Sequence, residues 1–582
     1  MRARPPRTTS RPRPGAKRPA SSRLLPPLLA ALAAFAVPGL ADEPDVAGPR
    51  DLALEFTSPF DGSRQPYRLY LPSAHDGREA VPLLVALHGT GGDQNKYFDH
   101  EAYLDGIYKA EAEKRGLAVL CPLGTDSNGL PTEWRGEAEI NALAAIDDAL
   151  RRFHIDADRI VCTGQSMGGT GTTYLCCRYP DLFAGGAPLG STYGHVDLVA
   201  NLRDVPMLYV QGGDDWPIYA ATGPIPITEE MKRLGYNGEL WVIPGAGHNT
   251  FAESTPRVLD WALKQRRVAH PKHITHRAYF PPHGRAWWVE IQEIERPGWF
   301  AEVDARAEPE NRVVVKLKNT SRLALRPDPA LYDPARPLAV VVDGREVFRG
   351  LCDESEELSL TRERGDWTAT RGPRREPSRL DWKDFVIGVA EEPPTWEGGP
   401  ETTLGNWLND AMLDISGADV AISTKGHYRY GDGMRGRAIE AGRPVRFMEF
   451  VSWLRPLDTA LATFTLKGSD LLKIIEANIL DGPKDDMFLV QVAGCRYRFD
   501  RRKPQGQRVV ETDIEPSREY RIVCNSSVIT RGDALHLGDY FGRLNHELLE
   551  PNVLSTAWRF ILKNQGRVAA PKLEGRVSEV GP

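Results

Sequence analysis

The chain is poor in cysteine, with seven among 582 residues. None falls in a CxxC pair or a Cys/His cluster of zinc spacing, which excludes a structural zinc module and a small disulfide-stapled scaffold. An odd count leaves at least one thiol unpaired within the chain. Cys176 and Cys177 are adjacent and too strained to bridge each other, while Cys495 and Cys524 lie on two expected strands and are candidates to pair. Past residue 41 no apolar run reaches membrane-spanning length. There is also no excess of positive charge outside the first 41 residues. That segment holds eight Lys and Arg and no acid; the remainder has 65 basic residues against 79 acidic ones, a net charge of −14. A general electrostatic affinity for nucleic acid or anionic membranes is therefore not expected.

Residues 1–41 read as a secretory signal: a basic start, the apolar run LLPPLLAALAAFAVPGLA broken by Pro26, Pro27 and Pro38, and small residues Gly39 and Ala41 before Asp42. Without a cysteine after the apolar run, a lipid anchor is not expected. The expectation is an exported protein, periplasmic or extracellular, whose substrate is a small or polysaccharide-linked molecule.

Three regions follow. Over 42–268, short apolar strands alternate with amphipathic helical stretches such as EAEINALAAIDDALRRF. The strands are PLLVAL (82–87), LAVLCP (117–122), RIVCTG (159–164), PMLYVQG (206–212) and ELWVIPG (239–245). That alternation predicts a mostly parallel sheet with helices on both faces. Over 269–385 the pattern becomes strands without helices (AWWVEIQEI, WFAEVDARA, RVVVKLKN, LAVVVDG), which predicts a small β-sandwich. TRERGDWTATRGPRREPSRLDWKD (361–384) reads as a linker. Trp287 and Trp288 are candidates for a sugar platform, although one of two adjacent strand residues ordinarily faces the core. Over 386–582 a mixed α/β pattern returns, with helices at GNWLNDAMLDISG and GSDLLKIIEANIL, the second opened by a Gly-Ser-Asp cap, and strands at ADVAIST, ATFTLKG, CRYRFD and EYRIVCN.

The chemistry concentrates in the first of these regions. Gly164-Gln165-Ser166-Met167-Gly168 fits G-x-S-x-G between a strand and a helix, the arrangement that exposes a serine nucleophile on a tight turn. His88-Gly89-Thr90-Gly91-Gly92 follows an earlier strand. The amides of Thr90 and of Met167 are the expected oxyanion donors, with Gly91 the competitor for the first. His88 itself precedes the nucleophile and reads as a structural histidine. Downstream, PMLYVQGGDDWPI offers Asp214 and Asp215 as the acid, and the spacing from Gly212 favours Asp215. His248 in VIPGAGHNTF comes last and is selected as base over His100, His154 and His195 by the order Ser, Asp, His. Trp134, Arg135 and Trp216 are candidate walls of a substrate pocket, with surface-loop packing as their alternative role.

These residues resemble the α/β-hydrolase superfamily over roughly 50–268, and within it secreted esterases of the polyhydroxybutyrate-depolymerase and feruloyl-esterase kind. The resemblance implies an acyl-enzyme on Ser166, His248 as base, Asp215 as orienting acid, and neither metal nor cofactor. Prolyl-oligopeptidase-like peptidases share this fold and triad and form the first rival; a sugar- or nucleotide-binding protein with an inactive hydrolase is the second. The middle region resembles a β module attached to secreted bacterial esterases. Residues from roughly 395 to 545 resemble the C-terminal domain of 5′-nucleotidases, through ETTLGNWLNDAMLDISGADVAI, RFMEFVSWLRPLDTALATFTLKGSDLLKIIEANI and YRIVCNSSV. In that family this domain holds the nucleoside beside a metallophosphatase domain, and no metallophosphatase pattern precedes it here. The Gly-rich segment reads TKGHYR, keeping Arg429 only; Ser527 stands where an aromatic is expected and Phe488 is one residue out of register. The expectation is a scaffold or repurposed domain without phosphate-ester cleavage.

Overall fold

The computed structural model describes residues 50–125, 129, 132–191, 196–248, 251–375, 378–395, 399–425, 439–454, 459–482, 488–530 and 545–581. The proposed signal, His195 and Arg429 lie outside the described residues. Val46–Pro582 form one compact unit.

The first region is an eight-stranded sheet: β1 (Arg50–Thr57), β2 (Arg64–Leu71), β3 (Val81–Leu87), β4 (Ala118–Pro122), β5 (Ile155–Gln165), β6 (Gly185–Leu189), β7 (Met207–Gly212) and β8 (Gly238–Ile243). They lie in the order β1-β2-β4-β3-β5-β6-β7-β8. β1 and β2 form an antiparallel hairpin and β2 pairs antiparallel with β4; every later pairing is parallel. The five strands read from apolar runs are all present. β1, β2 and β6 are additions. β6, GGAPL, has almost no strand propensity, yet all five residues are buried, because it is held between β5 and β7 rather than by its own side chains.

Residues 273–373 form two five-stranded sheets. Their pairings are antiparallel except Arg312–Lys318 with Leu338–Val342, which is parallel. A third of the expected linker is a strand: Asp366–Pro373 pairs along its whole length with Glu356–Glu363. The turn is Arg364-Gly365, both at positive φ (50° and 92°), the backbone of a two-residue hairpin without its usual Asn-Gly. Only two of its residues, Trp367 and Ala369, turn a half-buried apolar face to the core while Asp366, Thr368 and Thr370 are exposed, too short an apolar alternation to stand out. AWWVEI is likewise broken, since Trp287 and Trp288 form a tight turn between Arg285–Ala286 and Val289–Ile294.

In the C-terminal region a five-stranded sheet (Val490–Ala493, Val420–Thr424, Glu519–Asn525, Ala460–Lys467, Glu547–Asn552, in spatial order) carries helices Thr403–Ser416 and Val553–Lys563 against one apolar cluster. Helix Gly468–Ala477 packs in another. The expected Gly-Ser-Asp cap is not used. The helix begins at Gly468 with no side-chain cap; the amides of Gly468 and Ser469 donate instead to the carbonyls of Arg518 and Pro516. All seven cysteines, including Cys495 and Cys524, are free and buried.

The largest apolar cluster is not confined to one region. It runs from Leu83 and Leu120 through Ile291 and Val303 to Phe447 and Trp558. Phe280 stacks between the rings of Phe447 (4.7 Å) and Trp558 (5.1 Å), so the three sequence regions share one interior. No described helix is long and apolar enough to cross a membrane.

Candidate active site

Ser166 stands between β5 and the helix Met167–Arg178, at φ 58° and ψ −116°. A non-glycine residue at positive φ is strained. The neighbours hold it there: the Ser166 amide donates to the Leu189 carbonyl, 2.8 Å, and the glycines of the motif let three chain segments meet. A Cβ on Gly168 would sit 1.8 Å from the Leu87 carbonyl oxygen, so the helix packs directly on the end of β3. This turn lifts the hydroxyl clear of the sheet.

Three expected residues converge. Ser166 Oγ is 2.8 Å from His248 Nε2, and His248 Nδ1 is 2.9 Å from Asp215 Oδ2. The Asp215 side chain is 1% exposed. Its Oδ1 accepts the Trp216 amide (2.7 Å) and its Oδ2 also accepts Gln211 Nε2 (2.7 Å). Asp214 is exposed and its amide bonds the Ala246 carbonyl, so it takes no part. His100 and His154 are also exposed, bonding the Ala102 amide and the Gly77 carbonyl.

His88 is buried. Its Nε2 accepts the Gly124 amide (2.8 Å), which leaves Nδ1 to donate to the Gly89 carbonyl (2.9 Å). Burial lowers its pKa, keeping it neutral as this bonding requires. It pins the loop that carries Thr90. The loop lies against the nucleophile: a Cβ on Gly89 would be 3.5 Å from Ser166 Cβ. Thr90 follows at the exposed tip. Met167 is the first residue of its helix, so its amide is among those with no acceptor inside the helix.

The two tryptophans part company. Trp216 is 58% exposed, its ring 5.3 Å from that of His248. Trp134 is fully buried and lines nothing open. Its Nε1 donates to the His88 carbonyl and its ring packs on His88 and Gly171; its pocket assignment gives way to loop packing. Arg135 is buried as well, over the Tyr174 ring.

Sequence reasoning missed three contributors. Tyr219 packs against both His248 and Trp216, 5.1 Å from each. Gln165 donates to the His248 carbonyl (2.7 Å) and accepts from Tyr103 (3.1 Å). Gln211, inside an apolar strand, reads as core filler; its one sequence signal is its place four residues before the acid.

Residues 386–537 match the family "5′-nucleotidase, C-terminal domain". The chain is 28% identical over 200 residues to the trifunctional nucleotide phosphoesterase protein YfkN of Bacillus subtilis, covering 31% of this chain and 12% of that protein. It is 28% identical over 224 residues to an acetylxylan esterase of Coprinopsis cinerea (36% of this chain, 56% of that one). It is 26% identical over 136 residues to feruloyl esterase B of Talaromyces stipitatus (22% and 35%). The chain thus spans between about an eighth and just over half the length of these relatives. The chain thus combines a region similar to esterases with a segment that matches the 5′-nucleotidase C-terminal domain family.

Proposed function

We propose that the protein is an exported serine hydrolase that cleaves carboxylic esters through an acyl-enzyme on Ser166. The observation that carries this reading is the unbroken relay from Ser166 Oγ to His248 Nε2 and from His248 Nδ1 to Asp215 Oδ2, at 2.8 and 2.9 Å. Ser166 Oγ attacks the ester carbonyl as His248 Nε2 takes its proton; Asp215 fixes the ring and stabilises the imidazolium. The amides of Thr90 and Met167 receive the oxyanion. His248 then protonates the departing alkoxide, and a water deprotonated by the same nitrogen releases the acid. Trp216 and Tyr219 wall the His248 side and favour esters with a flat or sugar-like group. The 5′-nucleotidase-like domain acts as scaffold, and the two sheets of 273–373 serve as a β-sandwich-like module.

Purified protein is expected to hydrolyse p-nitrophenyl acetate and to be labelled by a fluorophosphonate. Ser166→Ala should remove labelling and lower kcat by about 10⁵ or more. Absence of both turnover and labelling in the wild type overturns the reading.

A further inference from the structure

A second cavity, of about 520 Å³, lies at the seam between the hydrolase and the sheets that follow it, within the size range of small-ligand clefts. Asp181 on its wall is just past the far end of the helix that starts at Ser166. Twelve residues of helix put about 18 Å between those ends, so the cavity is separate from the ester site.

The wall is basic in a chain of net charge −6. Arg267, Arg285, Arg326, Arg374 and Arg379 line it against three carboxylates, Asp181, Asp328 and Glu354, among the described residues. Asp181 serves two guanidiniums at once, Arg379 at 3.0 Å and Arg285 at 3.5 Å. Arg326 is 3% exposed, bonded to Glu290 and 3.4 Å from Glu357, yet among the described residues its buried Nη1 has no partner, and neither has Nε of Arg379. Buried donors are ordinarily satisfied. Burial, with Arg379 and Arg326 close by, pulls the Arg285 pKa down.

Trp287 adds the second element. In its two-residue turn the backbone favours glycine or asparagine, yet Trp287 stands at φ 48°. Its Nε1 donates to the Val268 carbonyl (2.8 Å); the residue is half-buried and lines the cavity. Trp288 also lines the cavity but is buried and bonded to the Pro271 carbonyl. Both indoles pack against the apolar core, and Trp287 is the more exposed of the two beside the arginines. An aromatic face suits the C–H face of a pyranose ring, and forked guanidinium donors suit a carboxylate.

We propose that this cleft binds a uronic-acid unit of an acidic glycan, with its ring against Trp287 and its carboxylate taken by Arg326 and Arg379. The site acts independently of the ester chemistry at Ser166.

Calorimetry on the full chain with trigalacturonate, the neutral xylotriose and inorganic phosphate tests this. Saturable binding of trigalacturonate that weakens with salt is expected, with no binding of xylotriose and phosphate at least tenfold weaker. Trp287→Ala and Arg379→Gln should each weaken trigalacturonate binding at least tenfold, and Trp287→Phe by less. Both weakened variants should keep p-nitrophenyl acetate turnover within twofold of wild type, and Ser166→Ala should bind as wild type does. If Trp287→Ala fails to fold, Arg379→Gln alone carries the test. No trigalacturonate binding, equal binding of xylotriose, phosphate as tight as trigalacturonate, unchanged affinity in the folded variants, or loss of binding in Ser166→Ala each overturns the proposal.

Discussion

Gln211→Leu removes one hydrogen bond from the acid of the relay while keeping nearly the same volume in a buried strand. Asp215 Oδ2 accepts two donors, Gln211 Nε2 at 2.7 Å and His248 Nδ1 at 2.9 Å. A hydrogen bond to a buried charged group contributes about 1.5–3 kcal/mol. If all of that were expressed only in the transition state, the loss would be about ten- to a hundredfold in rate. Gln211 touches Asp215 before and during the reaction alike, however, so only the difference counts. The Oε1 of Gln211 has no partner among the described residues, and its removal offsets part of the stability loss. The expectation is a drop in kcat of about threefold to tenfold with KM unchanged, because an Asp215 that has lost one of its positioning bonds orients His248 less well, and this outweighs its stronger pull on the imidazolium. A further signature separates positioning from mere packing. With one donor gone, the Asp215 charge is less neutralised and holds the imidazolium of His248 more strongly. The acidic limb of kcat/KM should therefore move to higher pH, and Gln211→Glu, which adds a like charge, should move it further. The assay is kcat/KM for p-nitrophenyl acetate from pH 5 to 9, with a thermal melt on each variant. A Gln211→Leu enzyme that melts lower but keeps the wild-type acidic limb would refute this reasoning.

Gly168→Ala should prevent soluble expression, or cost more than about 4 kcal/mol, because its Cβ meets the Leu87 carbonyl at 1.8 Å where neither backbone can yield; denaturant melts check this. His276 is fully buried, and desolvation holds its pKa at about 4 while its Nε2 bonds the His283 carbonyl. The unfolded chain binds this proton at about pH 6.5, so the stability from a neutral His276 is complete above that pH and is lost as pH falls toward 4, by about 3 kcal/mol in all. His276→Gln should flatten the fall in melting temperature between pH 7 and 4.5. Trp216→Ala should raise KM for feruloyl esters about two- to tenfold with a smaller effect on acetyl esters, since one aromatic contact contributes about 0.5–1.5 kcal/mol; steady-state kinetics on the two substrates decide it.

What the sequence disclosed followed the strength of local signals. The apolar runs of β3, β4, β5, β7 and β8 stand out because strands buried on both faces need little else. The relay was legible because the turn at Ser166 demands glycines at fixed places and because chain order separates His248 from the other histidines. β6 was not legible, since neighbours rather than propensity fix GGAPL. The strand Asp366–Pro373 reads as linker because only Trp367 and Ala369 mark its inner face, Gly372 and Pro373 end it, and its Arg-Gly turn is not a usual hairpin signal. Trp134 misled for a related reason. In sequence it sits in a polar loop, LPTEWRG, but the loop folds inward and spends the ring on holding His88. Gln211 carries no mark beyond its place four residues before the acid, because its role exists only once β7 and the His248 loop are side by side.

The least legible feature is the shared interior. Phe280, Phe447 and Trp558 each look like the core of their own region, and only their stacking shows otherwise. The junction also contains a charge. Glu139 is buried beneath Tyr174, Tyr179 and His283. Burial alone would raise its pKa, but the facing His283 leads the partners that hold it below the usual range. Such a buried carboxylate is tolerated only where its hydrogen bonds are satisfied. Here the hydrolase supplies Glu139 and the tyrosines, the middle region supplies His283, and the C-terminal domain closes over it with Phe447, 5.4 Å from its ring. Removing that cover would hydrate His283 and weaken the restraint on Glu139. Glu139 lies in the first turn of Glu137–Arg152, five residues past the Trp134 that supports His88 and, through it, the Thr90 loop. The 5′-nucleotidase-like domain thus closes this junction with Phe447, a packing role that its binding positions need not be intact to fill.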